Sequence, residues 1–365
     1  MQVCIVGLAG AGKTAVFNTL TRGHAETGGF GGLTVNTGVV KVPDDRLTAL
    51  TALFKPKKEV PADVTYVDLP APPSAVGGRA PDIPADQLAR LRTADALLHV
   101  VRAFEDPANP HTSGSVDAWR DLEQLDLEFV LADLSVIEKR LDKLSTSGRH
   151  GTAVEREQND RERVVLERML PALTAGTPIR DIGLTEDESR TVRGYRFLTE
   201  KPVLVLLNVD ESGIAGSGAL IKDFTARYPH QQSRIEALSA RIEMEIGELD
   251  DAEAQAFREE LGLPESSLER VIRLSYELLG LISFFTAGPD ETRAWTISDG
   301  SNAVDAAGAI HSDLARGFIR AEVVPMDVLL ELKSFAEARK VGKLRSEGKT
   351  YRVKDGDVIE VLFNV

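Results

Sequence analysis

Short apolar runs recur along the first two thirds of the chain, and each has the length of a β-strand. Polar or turn-forming residues bound the runs, and most show no alternation of apolar and polar positions. Such runs are typical of strands buried on both faces of a parallel sheet. Helix-like segments lie between several runs, so the pattern predicts an α/β fold with a doubly wound sheet. The runs lie at 3–6, 63–67, 96–101, 202–207 and 234–238.

A different pattern separates the third run from the fourth. Apolar residues there are spaced alternately by four and three positions, the repeat of a coiled-coil seam. A turn-like segment at 145–151 and a highly charged segment follow. We therefore predict a helical coiled-coil hairpin over 118–196, inserted at a loop of the α/β domain. The alternative is an ordinary amphipathic core helix. The seam residues are Val130, Leu134, Ile137, Leu141 and Leu144.

Beyond about residue 280 the pattern changes to short alternating segments, which predict strands, with one helical segment among them. They indicate a small C-terminal α+β domain over 280–365. The remaining residues, 1–117 and 197–279, are assigned to the α/β domain. The alternating segments lie at 294–297, 319–324 and 358–363, and the helical segment at 303–314.

The net charge, the cysteine count and the lengths of the apolar segments exclude several classes of protein. The formal net charge of -14 argues against a protein that coats nucleic acid or anionic membrane over its whole surface. The single cysteine, Cys4, excludes an intrachain disulfide, suits a reducing cytosol and lies where a small core residue is expected. No basic region precedes the short N-terminal apolar part, and nothing approaches the ~20 apolar residues of a membrane span. We expect a cytoplasmic protein with neither membrane nor DNA as a partner.

Residues 7–14, GLAGAGKT, fit the motif G-x-x-x-x-G-K-[ST] in full. They follow the first apolar run and precede a helix-like segment, which is the context that the motif requires and which argues against a chance glycine-rich turn. Backbone N–H groups of such a loop, with the N-terminus of the next helix, surround phosphate oxygens. We expect Lys13 to reach the β- and γ-phosphates of a nucleotide and Thr14 to ligate Mg²⁺.

Asp68 ends the second apolar run, at the start of DLPAPPSAVGG. A carboxylate at this place is the natural second partner of Mg²⁺, directly or through water. The alternative is an aspartate that only caps a turn.

The segment LLNVDE, at the end of the fourth run, corresponds to the N-K-x-D motif with which other NTPases read guanine. Asn208 is kept, while Val209 replaces the lysine and Glu211 the aspartate. Asp210 stands one position early, so its side chain should point elsewhere. These changes weaken guanine selection, whereas adenine, which lacks the 2-amino donor, loses less. Ser239 follows the fifth run and resembles the serine of the S-A segment that covers the base edge.

Residues 333–354 hold eight basic side chains against two acidic ones, a local reversal in a chain of net charge -14. This segment shows no catalytic set, so it is interpreted as a patch for RNA or ribosomal phosphate. The alternative is a solvated surface.

These residues resemble the YchF/Obg-like ATPase family of translation-factor-class P-loop NTPases over nearly the whole chain. The resemblance implies a P-loop NTPase (G) domain, an inserted coiled-coil arm and a C-terminal TGS domain. It also implies a cytosolic, ribosome-associated protein that hydrolyses ATP in preference to GTP. The segments that carry it include GLAGAGKTAVFNTLT, TADALLHVVRAFEDP, NVDESG, RVIRLSYELLGLISFFTAG, AGAIHSDLARGFIRAEVV and DGDVIEVLFNV.

The resemblance also implies roles for single residues. His111, in RAFEDPANPH, matches a histidine that orients the attacking water in this family; the alternative is an exposed loop histidine. Phosphate binding is implied for Gly10, Ala11, Gly12, Lys13, Thr14 and Ala15, and base recognition for Asn208, Val209 and Ser239.

Both segments that sense the γ-phosphate depart from the family pattern. Gly32 stands at the threonine position of the first switch, with Thr34 two residues away. In the second switch Ala71 replaces the glycine of D-x-x-G, and Pro72 follows it, which indicates a stiff sensor. The primary interpretation is slow hydrolysis of ATP, or GTP, with Mg²⁺. The alternatives are a non-hydrolysing nucleotide-binding regulator and an RNA-binding adaptor with a vestigial loop.

Overall fold

The computed structural model describes residues 1–23, 35–70, 83–147, 152–263 and 266–364. The strands within these ranges are β1 (Gln2–Val6), β2 (Asn36–Lys41), β3 (Lys58–Val60), β4 (Asp63–Asp68), β5 (Ala96–Ala103), β6 (Val203–Val209), β7 (Ser233–Leu238), β8 (Leu281–Ala287), β9 (Glu291–Ser298), β10 (Phe318–Pro325), β11 (Arg345–Glu347) and β12 (Asp357–Phe363).

The helices are α1 (Lys13–Thr21), α2 (Asp45–Phe54), α3 (Ala85–Thr93), α4 (Ala118–Ser147), α5 (Ala153–Thr174), α6 (Glu186–Val192), α7 (Glu211–Ile214), α8 (Ser217–Arg227), α9 (Ala240–Gly247), α10 (Asp251–Glu260), α11 (Ser267–Leu278), α12 (Ala303–Ile310), α13 (Ser312–Arg316), α14 (Met326–Leu332) and α15 (Phe335–Lys340). Two short 3₁₀ helices lie at Ile179–Asp181 and Arg193–Tyr195.

The chain divides into two units, one of residues 1–38 and 65–271 and the other of residues 39–64 and 272–365. The predicted partition counted residues 39–64 with the nucleotide domain. The predicted domain limits themselves stay a prediction.

The first unit is built on a sheet with the strand order β2-β4-β1-β5-β6-β7. The pairs β4–β1, β1–β5, β5–β6 and β6–β7 are all parallel, so crossover helices must connect them. Every residue of β6 is buried, as expected for a strand with both faces covered. The five predicted runs lie in β1, β4, β5, β6 and β7, which confirms the α/β fold. Cys4 lies in the core of this sheet, as predicted.

Helices α4 and α5 pack against each other through one apolar cluster. It includes Val130, Ile137 and Leu144 of α4 and Leu166 and Met169 of α5, all buried. The other two predicted seam residues pack on the same cluster. The start of α5 is fixed by a capping box, in which Thr152 and Glu155 satisfy each other's backbone N–H groups. The helical hairpin is therefore present.

The second unit holds a mixed sheet with the order β11-β10-β12-β8-β9-β3. Its core includes Phe284, Phe318 and Val323, with α12 packed on it. The predicted C-terminal strands lie in β9, β10 and β12. The predicted single helix at 303–314 is wrong: it is divided into α12 and α13, because His311 is extended (φ −164°) and caps the start of α13.

None of the helices in the described part of the chain is long and apolar enough to span a membrane.

Candidate nucleotide site

The loop between β1 and α1 has a shape that only glycine permits at two positions. A Cβ at Gly7 would collide with the carbonyl oxygen of Val100 in β5. Gly12 has φ +89°, and a Cβ there would collide with the amide nitrogen of Asn208 in β6. The loop therefore lies directly on the carboxyl ends of the central strands. Its backbone N–H groups can face a ligand there.

Lys13 is the first residue of α1, and it is buried at 7% exposure. Its ammonium donates to the carbonyl oxygens of Gly7 (3.0 Å) and Leu8 (3.1 Å), which closes the loop around it. Burial lowers the pKa of Lys13 to about 8, although the nearby Asp68 carboxylate acts in the opposite direction. No side chain caps the start of α1, so the first N–H groups of the helix are available to an anion.

Asp68 ends β4 beside β1 and meets Thr14 across the mouth of the loop. The Thr14 hydroxyl donates to Asp68 Oδ2 at 2.9 Å, and the Asn36 amide donates to the same oxygen at 3.4 Å. Oδ1 is buried and accepts no hydrogen bond from the described residues. Burial raises the pKa of Asp68, against the opposing effects of Thr14 and Lys13.

This donor set fits Mg²⁺. A carboxylate with one unsatisfied buried oxygen, next to a hydroxyl, offers the hard oxygen ligands that Mg²⁺ prefers, and a cation would satisfy that oxygen. Within the described ranges, no three His, Cys, Asp or Glu side chains are grouped closely enough to hold a metal by themselves. An ion here would take further oxygens from phosphate and water, as Mg²⁺ commonly does.

The structure places Asn208 as a bridge between two segments of the site. Its Nδ2 donates to the carbonyl oxygen of Ala11 in the loop (3.0 Å), and its Oδ1 accepts from the N–H of Ala240 (3.1 Å). Ala240 is the first residue of α9, and the preceding Ser239 caps that helix by accepting from Ile242 N. Asn208 and Ser239 thus fix the 7–14 loop against α9. The sequence motifs did not predict this contact.

Next to this bridge, the structure confirms the prediction that the Asp210 side chain points elsewhere. Asp210 caps α7 by accepting from the N–H of Gly213 at 2.8 Å, so its side chain does point elsewhere. Glu211 is exposed in the first turn of α7, and Val209 is buried at the end of β6. Roles in base recognition for Asn208, Val209 and Ser239 stay predictions.

His111 is buried at 8% exposure, so the alternative of an exposed loop histidine is wrong. Its Nδ1 accepts from the N–H of Ser113 (3.1 Å), which places the proton on Nε2, and Nε2 lies 2.7 Å from Asp121 Oδ2. His111 and the loop residues Leu8 and Ala11 line one narrow crevice. The histidine is therefore adjacent to the phosphate-binding loop, with both ring nitrogens engaged. Its role in orienting water stays a prediction.

Two residues of the site were not predicted from the sequence. Asn36 contacts Asp68 from β2, and Arg102 lies at the penultimate position of β5, next to the glycine loop. The signal for Arg102 was a charged residue at the end of an otherwise apolar run. Asn36 gave no comparable signal. The predicted switch residues Gly32, Thr34, Ala71 and Pro72 lie outside the described residues.

These features together define a P-loop NTPase. The first strand of a parallel sheet leads into a G-x-x-x-x-G-K-T loop and a helix, and a lysine and a threonine–aspartate pair lie at the mouth of that loop. A family model described as "50S ribosome-binding GTPase" matches residues 2–139. A second model, for the C-terminal region of YchF GTPases and described as a protein of unknown function, matches residues 281–364.

Individual relatives match the whole chain. The "Ribosome-binding ATPase YchF" of Bacillus subtilis (strain 168) is 40% identical over 372 residues, which cover 99% of this chain and 98% of that protein. The protein of the same name from Haemophilus influenzae is 38% identical over 365 residues, with the same coverage. The structure of the Schizosaccharomyces pombe YchF GTPase matches with a TM-score of 0.85 at 28% identity, covering 99% of this chain and 97% of that one. The chain belongs to the YchF family.

Proposed function

We propose that this protein binds ATP with Mg²⁺ at the 7–14 loop, hydrolyses it slowly and associates with the ribosome in the cytoplasm. One observation carries the proposal: Asp68 holds an unsatisfied buried oxygen next to Thr14 and Lys13, at the start of α1, which no side chain of the described residues caps. The names of the relatives, ribosome-binding ATPases, support both the nucleotide and the ribosome as partners.

The chain's own residues supply positioning and charge. Backbone N–H groups of residues 10–15 hold the phosphates, and the Lys13 ammonium neutralises the β- and γ-phosphate oxygens. Thr14 Oγ1 and Asp68 would hold the metal. When bound, Mg²⁺ would neutralise the negative charge that develops on the phosphate oxygens. Water attacks the γ-phosphate. We assign the orientation of this water to His111, which requires that one ring nitrogen leave its present partner, Asp121 or Ser113.

Selection of ATP over GTP is proposed from the base-side residues. Val209 is buried where guanine-reading enzymes carry a lysine, and exposed Glu211 stands in place of their aspartate. Both amide atoms of Asn208 already bind protein groups, which reduces what it can offer a guanine. GTP is the weaker ligand in this account.

The ribosome contact is assigned to the basic patch, defined as residues 333–354. Lys343 and Lys349 are exposed, and within the described residues neither has an ion-pair partner. Exposed cations without partners can bind RNA phosphates and release the counterions of the RNA. The partition that fits this assignment is a nucleotide domain of 1–117 and 197–279, an arm of 118–196 and a TGS domain of 280–365.

A calorimetric titration tests the nucleotide site. ATP with Mg²⁺ should bind more tightly than GTP with Mg²⁺, and chelation of the metal should weaken ATP binding. Lys13→Ala should lose binding by about 10²-fold or more, because it removes the central cation. Lys222→Ala is the matched control: this exposed lysine of α8 should leave the affinity unchanged. An equal affinity of the wild type and Lys13→Ala would show that the loop is vestigial.

A second candidate function, a nucleotide-binding regulator without hydrolysis, is favoured by the state of His111. Both ring nitrogens are engaged by Asp121 and Ser113, so neither is free to orient water in this arrangement. Tight nucleotide binding without turnover would support this second function.

A further inference from the structure

Arg102 is a buried arginine for which the described residues offer no ion-pair partner. It is the penultimate residue of β5 at 3% exposure, directly beside Asn208 of β6 in the sheet register. Buried arginines are ordinarily paired with a carboxylate, because an uncompensated charge is costly to bury. No carboxylate oxygen of the described chain lies within ion-pair distance of this guanidinium. Asp106 interacts with it electrostatically from beyond ion-pair distance, so its positive charge is only partly compensated.

One side of the guanidinium holds the loop that follows β5. Its Nε donates to the carbonyl oxygen of Phe104 at 3.1 Å, and Nη1 donates to that of Asn109 at 3.0 Å. The guanidinium also lies over the Phe104 ring, 4.8 Å from its centroid. These contacts fix the two ends of residues 104–109, just before His111.

The same nitrogen, Nη1, also lies next to the phosphate-binding loop. A Cβ at Gly10 would lie 3.1 Å from Arg102 Nη1, so the group packs directly behind that glycine. Arg102 and His111 line the same crevice as Leu8 and Ala11. A single planar cation thus lies next to both the 7–14 loop and the loop of His111.

The third guanidinium nitrogen of Arg102, Nη2, indicates that these two loops can adopt a second arrangement. Nη2 is buried and donates to no acceptor among the described residues. A buried donor without an acceptor is unfavourable, so a small shift of either loop that supplies an oxygen would be stabilised. A polyphosphate in the glycine loop would add negative charge close to this cation and change its balance of contacts.

We propose that Arg102 is a positioning residue that couples nucleotide occupancy of the 7–14 loop to the position of the His111 loop. The inference rests on the proposed nucleotide site, because a bound phosphate is what changes the environment of Arg102. Arg102 acts through its contacts with Gly10, Phe104 and Asn109 and does not touch the reacting atoms.

The test follows the imidazole of His111 by NMR while ADP with Mg²⁺ is added. In the wild type the His111 ring signals, assigned by their loss in His111→Gln, should shift on saturation with ADP. In Arg102→Met the shift should disappear, and in Arg102→Lys it should be reduced, since an ammonium cannot make the two fixed contacts. The ADP dissociation constant should change less than about threefold, while kcat for ATP falls about tenfold or more through misplacement.

Arg180→Lys is the matched control. Arg180 also donates to a backbone carbonyl, that of Thr199, but its other contact is the Tyr228 hydroxyl, and it does not line the crevice of His111. This variant should keep the ADP-induced shift of His111. If Arg102→Met keeps the full shift, or if the wild type binds ADP without any shift, the coupling role is wrong while the nucleotide site stands. A wild type that binds no nucleotide contradicts the site and the coupling together.

Discussion

At the scale of single residues, the charge state of Lys13 governs the site. Burial lowers its pKa to about 8 in the free protein, so a measurable fraction is neutral at mildly alkaline pH. A bound polyphosphate is an opposite charge at close range and must raise that pKa. The complex therefore keeps the proton to a higher pH than the free protein does.

This difference predicts the pH dependence of nucleotide affinity. The affinity for ATP should be constant below about pH 8 and should fall as the pH rises above it, by up to about tenfold per unit. Titrations from about pH 7 to about pH 9.5 measure it. In Lys13→Met the remaining weak binding should lose this slope. A wild-type affinity that is constant over the whole range would contradict a protonated Lys13 at the phosphates.

At the scale of elements, the contact between the 7–14 loop and Asn208 of β6 determines the shape of the site. Gly12→Ala should weaken ATP binding by about tenfold or more, because a Cβ there displaces the Asn208 amide from Ala11. Gly176→Ala is the control: its φ of +84° imposes similar backbone strain, but no atom lies within 4 Å of the new Cβ. Both variants should lose roughly 1 kcal/mol of stability or more from the strain, but only Gly12→Ala should lose affinity. Equal affinities would show that the Asn208 bridge is dispensable.

The helical hairpin gives a prediction about stability. Ile137 lies fully buried in the cluster between α4 and α5, so Ile137→Ala should lower the free energy of unfolding by about 2–5 kcal/mol. Leu131→Ala, on the same helix at 48% exposure, should change it by less than about 0.5 kcal/mol. Chemical denaturation measures both values. If both variants lose the same stability, Ile137 does not carry the packing that the structure gives it.

The elements also show what the sequence can and cannot predict. Apolar runs identified the central strands, because burial on both faces leaves a strong local pattern. The strand β2 was not predicted, because it is an edge strand in which most positions are half-exposed or exposed. The division at His311 depends on one extended residue within a helical pattern.

In the candidate site, the phosphate-binding residues could be predicted because their motif is contiguous. The bridge made by Asn208 and the contact of Arg102 with Gly10 could not be predicted, since they join segments that are distant in sequence. Such contacts depend on which strands become neighbours, and local patterns do not contain that information.

At the scale of the whole molecule, the distribution of charge matters more than its sum. A net charge of -14 opposes binding to RNA, so the proposed ribosome contact requires a local cationic surface. Residues 333–354 are the candidate for that surface.

Charge reversal in this patch should weaken ribosome binding. Lys343→Glu combined with Lys349→Glu should lower co-sedimentation with ribosomes by about tenfold or more and reduce its dependence on salt. Lys41→Glu combined with Lys222→Glu changes the net charge equally at exposed positions outside the patch and should have a smaller effect. An equal loss in both double variants would indicate a general effect of charge.

The most direct test of the central claim is the release of inorganic phosphate from ATP and from GTP, with and without ribosomes. We predict release from ATP above background, faster than from GTP and dependent on Mg²⁺. Asp68→Asn should lower it by about 10²-fold or more, because the metal loses its carboxylate, while Asp63→Asn at the exposed start of β4 should not. Phosphate release at background in every condition, or an Asp68→Asn variant as active as the wild type, would contradict the account.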